Sequence, residues 1–313
     1  MIAVIGEALI DVIHRPGHEI VETVGGGPLN TARAAAHLGA KVTFICPIST
    51  DERGERVAGV LTDDVISIGL PTRSDAPTPI AHAVLDVQGH ASYDFSLSGT
   101  ALADITSAQA VSAVGDATAI HVGTLALALP EMSAAVAEVV EALTPGQLLM
   151  ADPNCRPVFL DGNAQFQRMW PLVASRADLI KISDDDLRYL YEDDEVSALK
   201  QLRQHTDAVV LITRGSAGVT VLGGDQRRDV PSAKVSVVDT VGAGDVFSGA
   251  FLAWWQRAGY GRSQAQDMDA VCAAAGYAAV AASISCTKTG AQSPTILEME
   301  RAGAHLLRKL LAQ

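Results

Sequence analysis

The stretch Asp239-Thr240-Val241-Gly242-Ala243-Gly244-Asp245-Val246-Phe247-Ser248-Gly249-Ala250-Phe251 decides how the rest of the chain is read. The segment before it, residues 234–238, is apolar-rich and reads as a strand. Three small residues follow, Gly242, Ala243 and Gly244, then Asp245, then a helical run over residues 246–258. Small residues at a strand-to-helix junction let backbone amides crowd against an anion. The helix behind them adds about half a positive charge at its N-terminus. A carboxylate in that turn stands beside the anion and can take a proton from whatever attacks it, as phosphoryl transfer to a hydroxyl requires. The same pattern also has a plainer source: an Asp that opens a helix is ordinary capping chemistry, and a Gly-Ala-Gly turn can be only a tight connection.

A second glycine cluster, Gly25-Gly26-Gly27-Pro28-Leu29-Asn30, also leads into a helix, residues 30–38. Together the two segments resemble the signature regions of the ribokinase, or phosphofructokinase-B, family of sugar and nucleoside kinases. The first runs from Gly25 through Thr31-Ala32-Arg33 and is followed by the helix exit Leu38-Gly39-Ala40; the second is the stretch quoted above. The resemblance covers nearly the whole chain. It implies a ribokinase-like three-layer α/β/α sandwich with a mostly parallel central sheet and a small β-sheet lid.

Composition agrees with a catalyst of that kind. The 313 residues carry 48% hydrophobic content, enough for one large core. A net charge of −13 argues against a nucleic-acid partner, whose phosphates need a basic face. One local anion site suffices for ATP. Aromatic content of 4% leaves little for stacked-base platforms. The cysteines, Cys46, Cys155, Cys272 and Cys286, form no CxxC pair, which disfavours zinc and fits free thiols in a reducing cytoplasm. The N-terminus reads as a buried strand, without the basic region or cleavage site of a signal peptide. Residues 270–284 are apolar but shorter than the roughly 18 residues that span a membrane.

Short apolar runs at residues 2–6, 41–48, 119–122, 147–151, 179–182, 208–213 and 218–222 alternate with helical patterns at 52–63, 130–143, 196–205, 266–283 and 296–311. Strand–helix alternation predicts one parallel sheet covered on both faces, with ligands gathered at the strands' carboxyl ends. The whole chain, 1–313, reads as a single domain. Two segments, about 8–24 and 78–98, break the rhythm with antiparallel-like alternation, and Gly89 marks a turn in the second. An ordinary edge hairpin would look the same; the resemblance implies the lid.

The resemblance assigns roles to individual residues. Asp245 is the general base, with the amides of Gly242, Ala243 and Gly244 holding the charge on the transferring group. Asp11, in Gly6-Glu-Ala-Leu-Ile-Asp11, holds sugar hydroxyls. Gly26, Gly27 and Asn30 form the floor of the sugar site, and Asn30 can cap its helix as well. In Asp152-Pro-Asn-Cys-Arg156, Arg156 meets a sugar oxygen or a phosphate, and Asn154 lies in the magnesium–phosphate network. A surface ion pair is the alternative for Arg156.

Lys181-Ile-Ser-Asp-Asp-Asp-Leu187 matches the family's Asn-x-x-Glu region imperfectly, with Ser183 and Asp186 in the two key places. By the resemblance Asp186 acts on Mg²⁺ through water; Ser followed by acids is also plain helix-start chemistry. Lys181, Thr213, Arg214, Gly215 and Gly218 border the nucleotide, although a hairpin turn explains the last four nearly as well. Asp239, Val241, Lys288 and Gly290 surround a K⁺ site in many members.

These assignments imply an ATP- and Mg²⁺-dependent sugar kinase, with activation by K⁺ left open. In Gly6–Asp11, Asp152–Arg156 and Tyr93–Thr100 it looks most like bacterial fructokinases. 2-Keto-3-deoxygluconate is a second acceptor; its carboxylate would need Arg156 or Arg33. A nucleoside such as adenosine is a third, with Tyr93 and Phe95 as stacking candidates. A homodimer clasped through the small sheets is the assembly implied. A dinucleotide oxidoreductase is disfavoured, because residues 1–11 lack Gly-x-Gly-x-x-Gly. A sugar sensor without catalysis is disfavoured by the intact Gly-Ala-Gly-Asp.

Overall fold

The computed structural model describes residues 1–14, 16–85, 91–191 and 194–311. In chain order, β1 (Ile2–Ile5) leads through residues 6–8 into the antiparallel pair β2 (Leu9–His14) and β3 (Val21–Gly25). Next come α1 (Gly27–His37), β4 (Val42–Ile45), α2 (Glu52–Asp63) and β5 (Ser67–Ile68). A second antiparallel pair, β6 (Ile80–Leu85) and β7 (Ala91–Ser96), precedes α3 (Ser107–Val114) and β8 (Ala119–Gly123). The chain continues through α4 (Pro130–Ala142), β9 (Leu148–Asp152), α5 (Pro157–Leu160), α6 (Ala164–Arg176), β10 (Leu179–Ser183), α7 (Asp184–Tyr191) and α8 (Glu195–Leu202). It ends with β11 (Val209–Thr213), β12 (Val219–Gly223), β13 (Gln226–Val230), α9 (Ala243–Arg257), α10 (Met268–Ser285) and α11 (Ile296–Leu311).

Among the described residues the main sheet has nine strands in the order β13-β12-β11-β10-β9-β8-β1-β4-β5. From β11 to β5 every pairing is parallel; β12 and β13 add an antiparallel edge. β1, β4, β8 and β9 are buried along their whole length, which is why they read as unbroken apolar runs rather than alternating ones. The mostly parallel sheet flanked by helices is the fold class that the alternation predicts.

The two segments that break the rhythm form a second sheet, in the order β3-β2-β6-β7. Its central pairing, β2 with β6, is parallel, because each antiparallel pair contributes one strand to the middle. The turn expected at Gly89 and the side chain of Tyr93 lie outside the described residues. Phe95 of β7 packs edge-on against Phe159 of α5, with ring centroids 6.4 Å apart, so that contact ties the second sheet to the main body. On β3, Glu22 is gripped by Arg53 and Arg56 of α2; Arg56 Nη1 stands 2.7 Å from Glu22 Oε2.

Boundaries differ from the sequence reading at several elements. Residues 234–238 form no strand. They run along the surface beyond β13, with Val237 and Val238 more than half exposed, and find no neighbouring strand to pair with. β-propensity without a ladder partner does not make a strand. α9 begins at Ala243, so the whole Gly-Ala-Gly-Asp unit belongs to its cap and first turn. α10 starts at Met268, two residues later than the helix read at 266–283, because Asp267 caps it, and it runs two residues further, to Ser285. Its 18 residues are long and apolar enough to cross a membrane by length and composition, but 56% of that span is buried inside the molecule, where α10 packs on α9.

Small residues set how closely the helices approach. A Cβ on Gly249 would stand 2.4 Å from the Thr31 carbonyl oxygen and 2.7 Å from Ala34 Cβ, so α9 and α1 touch backbone to backbone there. One turn earlier, Asp245 meets Asn30. The two contacts run in the same direction along both helices. α1 and α9 are therefore parallel neighbours, and both aim their N-termini at the carboxyl edge of the sheet.

Candidate active site

Asp245 sits in the first turn of α9 and is 7% exposed. Asn30 Nδ2 donates to its Oδ2 at 3.0 Å, and Asn154 Nδ2 donates to its Oδ1 at 3.2 Å. Burial raises its pKa; the Asn30 bond, the charges of Lys181 and Arg156, and the Asn154 bond pull the other way. A carboxylate that accepts from two amide donors is held in one orientation.

The glycines leave room for these groups. A Cβ on Gly27 would stand 2.9 Å from Asn154 Nδ2 and 3.2 Å from both Asp245 Oδ1 and Thr124 Oγ1. Bare backbone at Gly27 is therefore what lets α1 start against the carboxylate. Gly26 caps α1 at φ +117°, where side chains rarely go, and no side chain caps that helix end. Glu7 lies beside that helix start, where the backbone amides of Glu7 and Gly27 favour its charged form, while its Oε2 has no hydrogen-bond partner. Glu7 is 1% exposed, and burial pushes its pKa up to about 8, against the pull of those amides and Arg156. The sequence reading missed Glu7 as a site residue; its only signal was an acid directly after a buried strand.

Asp11 lies on β2 beside this cluster, and a Cβ on Gly25 would stand 1.9 Å from its Oδ2. Burial pushes the Asp11 pKa up to about 6, partly offset by Arg156 and reinforced by Asp245. The Arg156 guanidinium folds back on its own loop, donating to Asn154 Oδ1 at 2.7 Å and to the Asn154 and Cys155 carbonyls. Its charge still reaches Glu7, Asp11 and Asp245. A surface ion pair, the alternative reading for Arg156, is not among these contacts.

Two non-glycine residues at adjacent strand exits adopt left-handed backbone, Thr124 at φ +56° after β8 and Asn154 at φ +38° after β9. Asn tolerates that region, whereas a β-branched Thr there is strained by about 1–3 kcal/mol. Thr124 carried no sequence signal, since backbone strain is not written in residue type.

Gly242 caps α9 in left-handed conformation, and a Cβ there would stand 2.3 Å from Ala291 Cβ. The loop over residues 287–292 thus walls the Gly242–Gly244 turn. Asp239 ties it in: Oδ1 accepts the Val241 N–H at 3.0 Å and Oδ2 accepts the Gly290 N–H at 2.8 Å. Asp239, Val241 and Gly290 are brought together. The Lys288 side chain is not among them; its Nζ pairs with Glu298 at 2.8 Å, leaving only its carbonyl for any cation.

Beneath the turn, Lys181 and Asp152 form an ion pair of 2.9 Å with side chains 3% and 2% exposed. The Lys181 side chain does not reach the surface. Burial works against its ammonium, but Asp152, Asp186 and Asp245 outweigh it and raise the pKa. Burial pushes Asp152 up to about 6 despite Lys181.

Asp186 is a helix-start residue in this structure. Its N–H donates to Ser183 Oγ at 2.9 Å, while its Oδ2 accepts the Ser183 hydroxyl at 2.6 Å. Its Oδ1 takes the Cys155 N–H at 2.8 Å. With both oxygens already accepting hydrogen bonds, an outer, water-bridged approach to a metal suits Asp186. Among the described residues no cluster of three His, Cys, Asp or Glu side chains forms a metal cage. Mg²⁺ held mainly by phosphates and water needs none.

Thr213 lies beside Ser183 at the same edge of the sheet. Gly215 and Gly218 shape the turn from β11 to β12, where a Cβ on Gly218 would stand 2.2 Å from the Val230 carbonyl oxygen. The Arg214 side chain turns away to Glu195 at 2.7 Å and Thr220 at 3.0 Å, so only its backbone borders the edge.

The sequence pattern described as pfkB family carbohydrate kinase matches residues 1–297. The chain is 32% identical over 259 residues to a fructokinase of Rhizobium leguminosarum bv. trifolii, covering 81% of this chain and 79% of that one. It is 31% identical over 307 residues to fructokinase-1 of Oryza sativa subsp. japonica, covering 94% of each. Its fold superposes on the ATP-bound fructokinase of Xylella fastidiosa with a TM-score of 0.86 at 24% identity, across 96% of this chain and 97% of the other.

Proposed function

Since the chain belongs to the pfkB family of carbohydrate kinases, we propose that it transfers the γ-phosphate of ATP to a primary hydroxyl of fructose, with Asp245 as general base. The observation that carries this reading is the buried Asp245 carboxylate, held by Asn30 and Asn154 at the N-terminal turn of α9. The names of the relatives at 30% identity and above supply the choice of fructose.

The sugar lies over Gly26 and Gly27, with Asp11 and Asn30 on its hydroxyls. Asp245 takes the proton as the hydroxyl oxygen attacks the γ-phosphorus in line. The bond from that phosphorus to the bridging oxygen breaks, and its electrons leave with ADP. Negative charge then spreads over the transferring group, and the amides of Gly242, Ala243 and Gly244 are placed to receive it. The converging N-termini of α1 and α9 add about half a positive charge each. Arg156, once released from its own loop, can close on a phosphate or sugar oxygen in a forked contact.

Thr213 and the backbone at Arg214, Gly215 and Gly218 border the nucleotide. Mg²⁺ on the phosphates would neutralise their charge, with Asp186 and Asn154 meeting it through water. The backbone around Asp239, Val241, Lys288 and Gly290 suits a K⁺-sized ion. The second sheet covers the sugar and excludes water, which limits wasteful ATP hydrolysis.

The test is ADP release with Mg²⁺-ATP against fructose, ketodeoxygluconate, ribose and adenosine, with and without K⁺. Fructose should give the highest kcat/KM. Preference for another acceptor would overturn the substrate, and no turnover on any, in folded protein, would overturn catalysis.

A further inference from the structure

Lys181 poses an electrostatic puzzle. Its ammonium lies directly behind the N-terminal turn of α9: a Cβ on Gly244 would stand 2.8 Å from Nζ and 3.6 Å from Cε, with no atom of Asp152 within 4 Å. The pair is therefore oriented, with its cation facing the turn and its anion behind. A cation at the positive end of a helix is the unfavourable placement. A buried ion pair is also a poor stabiliser, since apolar residues of the same volume commonly do as well. Lys181 offsets the buried acids Asp152, Asp186 and Asp245, but that alone does not call for an ammonium pressed against the Gly244 backbone.

We propose that Lys181 is a positioning residue for phosphoryl transfer, which aims a fixed positive charge through the bare Gly244 backbone at the anion held by the Gly242–Gly244 turn. Asp152 keeps the ammonium in place, with Ser248 Oγ at 3.4 Å from the same Asp152 oxygen. The glycine at 244 has a direct reason in this arrangement, since a side chain would displace Nζ. Lys181 touches no reacting atom. Its field grows in value as charge develops on the transferring group, because it acts through a region closed to water. This rests on the kinase reading above.

The experiment compares wild type, Lys181→Met, and the double variant Lys181→Met/Asp152→Asn, which removes both members of the ion pair; kcat is read on the level part of each pH profile, because Asp245 also feels the Lys181 charge. The Asn154 N–H donates to Asp152 Oδ1 at 3.2 Å, and the amide introduced by Asp152→Asn keeps an oxygen for that bond. Steady-state kinetics on the preferred sugar and melting temperature are read for each. The single variant should lose both stability and kcat. The double variant should recover the melting temperature while kcat stays about 10- to 100-fold below wild type and sugar KM holds within about twofold. Recovery of kcat together with melting temperature would reduce the pair to a strut and overturn the proposal, as would a Lys181→Met enzyme of full activity. A wild type that turns over no sugar would overturn the kinase reading itself, and this proposal with it.

Discussion

The Asn30 amide donates to the Asp245 carboxylate across 3.0 Å, joining residues 215 positions apart in the chain. That bond links the two glycine-rich motifs. It exists because α1 and α9 lie in backbone contact at Gly249, which brings both helix N-termini to one point.

Asp245→Asn should abolish turnover and leave sugar binding intact. Asn is isosteric and keeps one acceptor oxygen for the two amide donors of Asn30 and Asn154, but it cannot take a proton. Loss of a general base costs about 10²- to 10⁴-fold in kcat. Calorimetric titration with the sugar, beside the kinetics, checks both halves; a variant with wild-type kcat sinks the mechanism.

The acid limb of the kcat/KM pH profile should lie above the ordinary aspartate range near 3.9, because burial raises the Asp245 pKa. Only ionised Asp245 accepts a proton, so activity falls as pH drops through that raised value. Asn30→Ala removes a donor that favours the charged form and should move the limb higher still. A limb that stays put would mean another group controls it.

Gly27→Ala should cut activity without unfolding the protein. The new methyl would press on Asn154, Asp245 and Thr124 at 2.9 to 3.2 Å. Displacing a base by a fraction of an ångström costs up to about 10²-fold. Circular dichroism unchanged beside reduced kcat/KM is the expected pair of results.

Gly249→Ala tests the fold rather than the chemistry. Its Cβ would meet the Thr31 carbonyl oxygen at 2.4 Å. Overpacking of that kind costs about 1–3 kcal/mol, readable as a lower urea midpoint.

Glu7→Gln should flatten the pH dependence of stability. Glu7 has its pKa raised from 4.5 to about 8, so between those values the native state holds a proton that the unfolded state releases. Stability from this group is full at low pH and falls as pH rises toward 8. Gln cannot titrate, so melting temperatures of the two proteins should diverge across that window; parallel curves would mean Glu7 is not a buried acid.

By itself the sequence determined the class of fold and the identity of the chemistry. Buried parallel strands write themselves as apolar runs, and glycine followed by Asp or Asn at a helix start marks where backbone meets an anion. Asp245, Asn30 and Gly27 stand out on those grounds, whereas Asp11 is singled out only by the family resemblance. Local pattern was weaker where context overrides it. α3 is only eight residues long and is passed over despite its Thr106–Gln109 capping box, α6 carries Pro171 in its interior, and residues 234–238 look like a strand yet have no partner.

Only the tertiary structure decided which groups meet. The placement of Lys181 under Gly244, the Glu7 carboxyl at the end of α1, the strain at Thr124 and the turning away of Lys288 and Arg214 all depend on partners from distant segments. A side chain's role is set by its neighbours, and neighbours across a sheet have no fixed spacing in the chain.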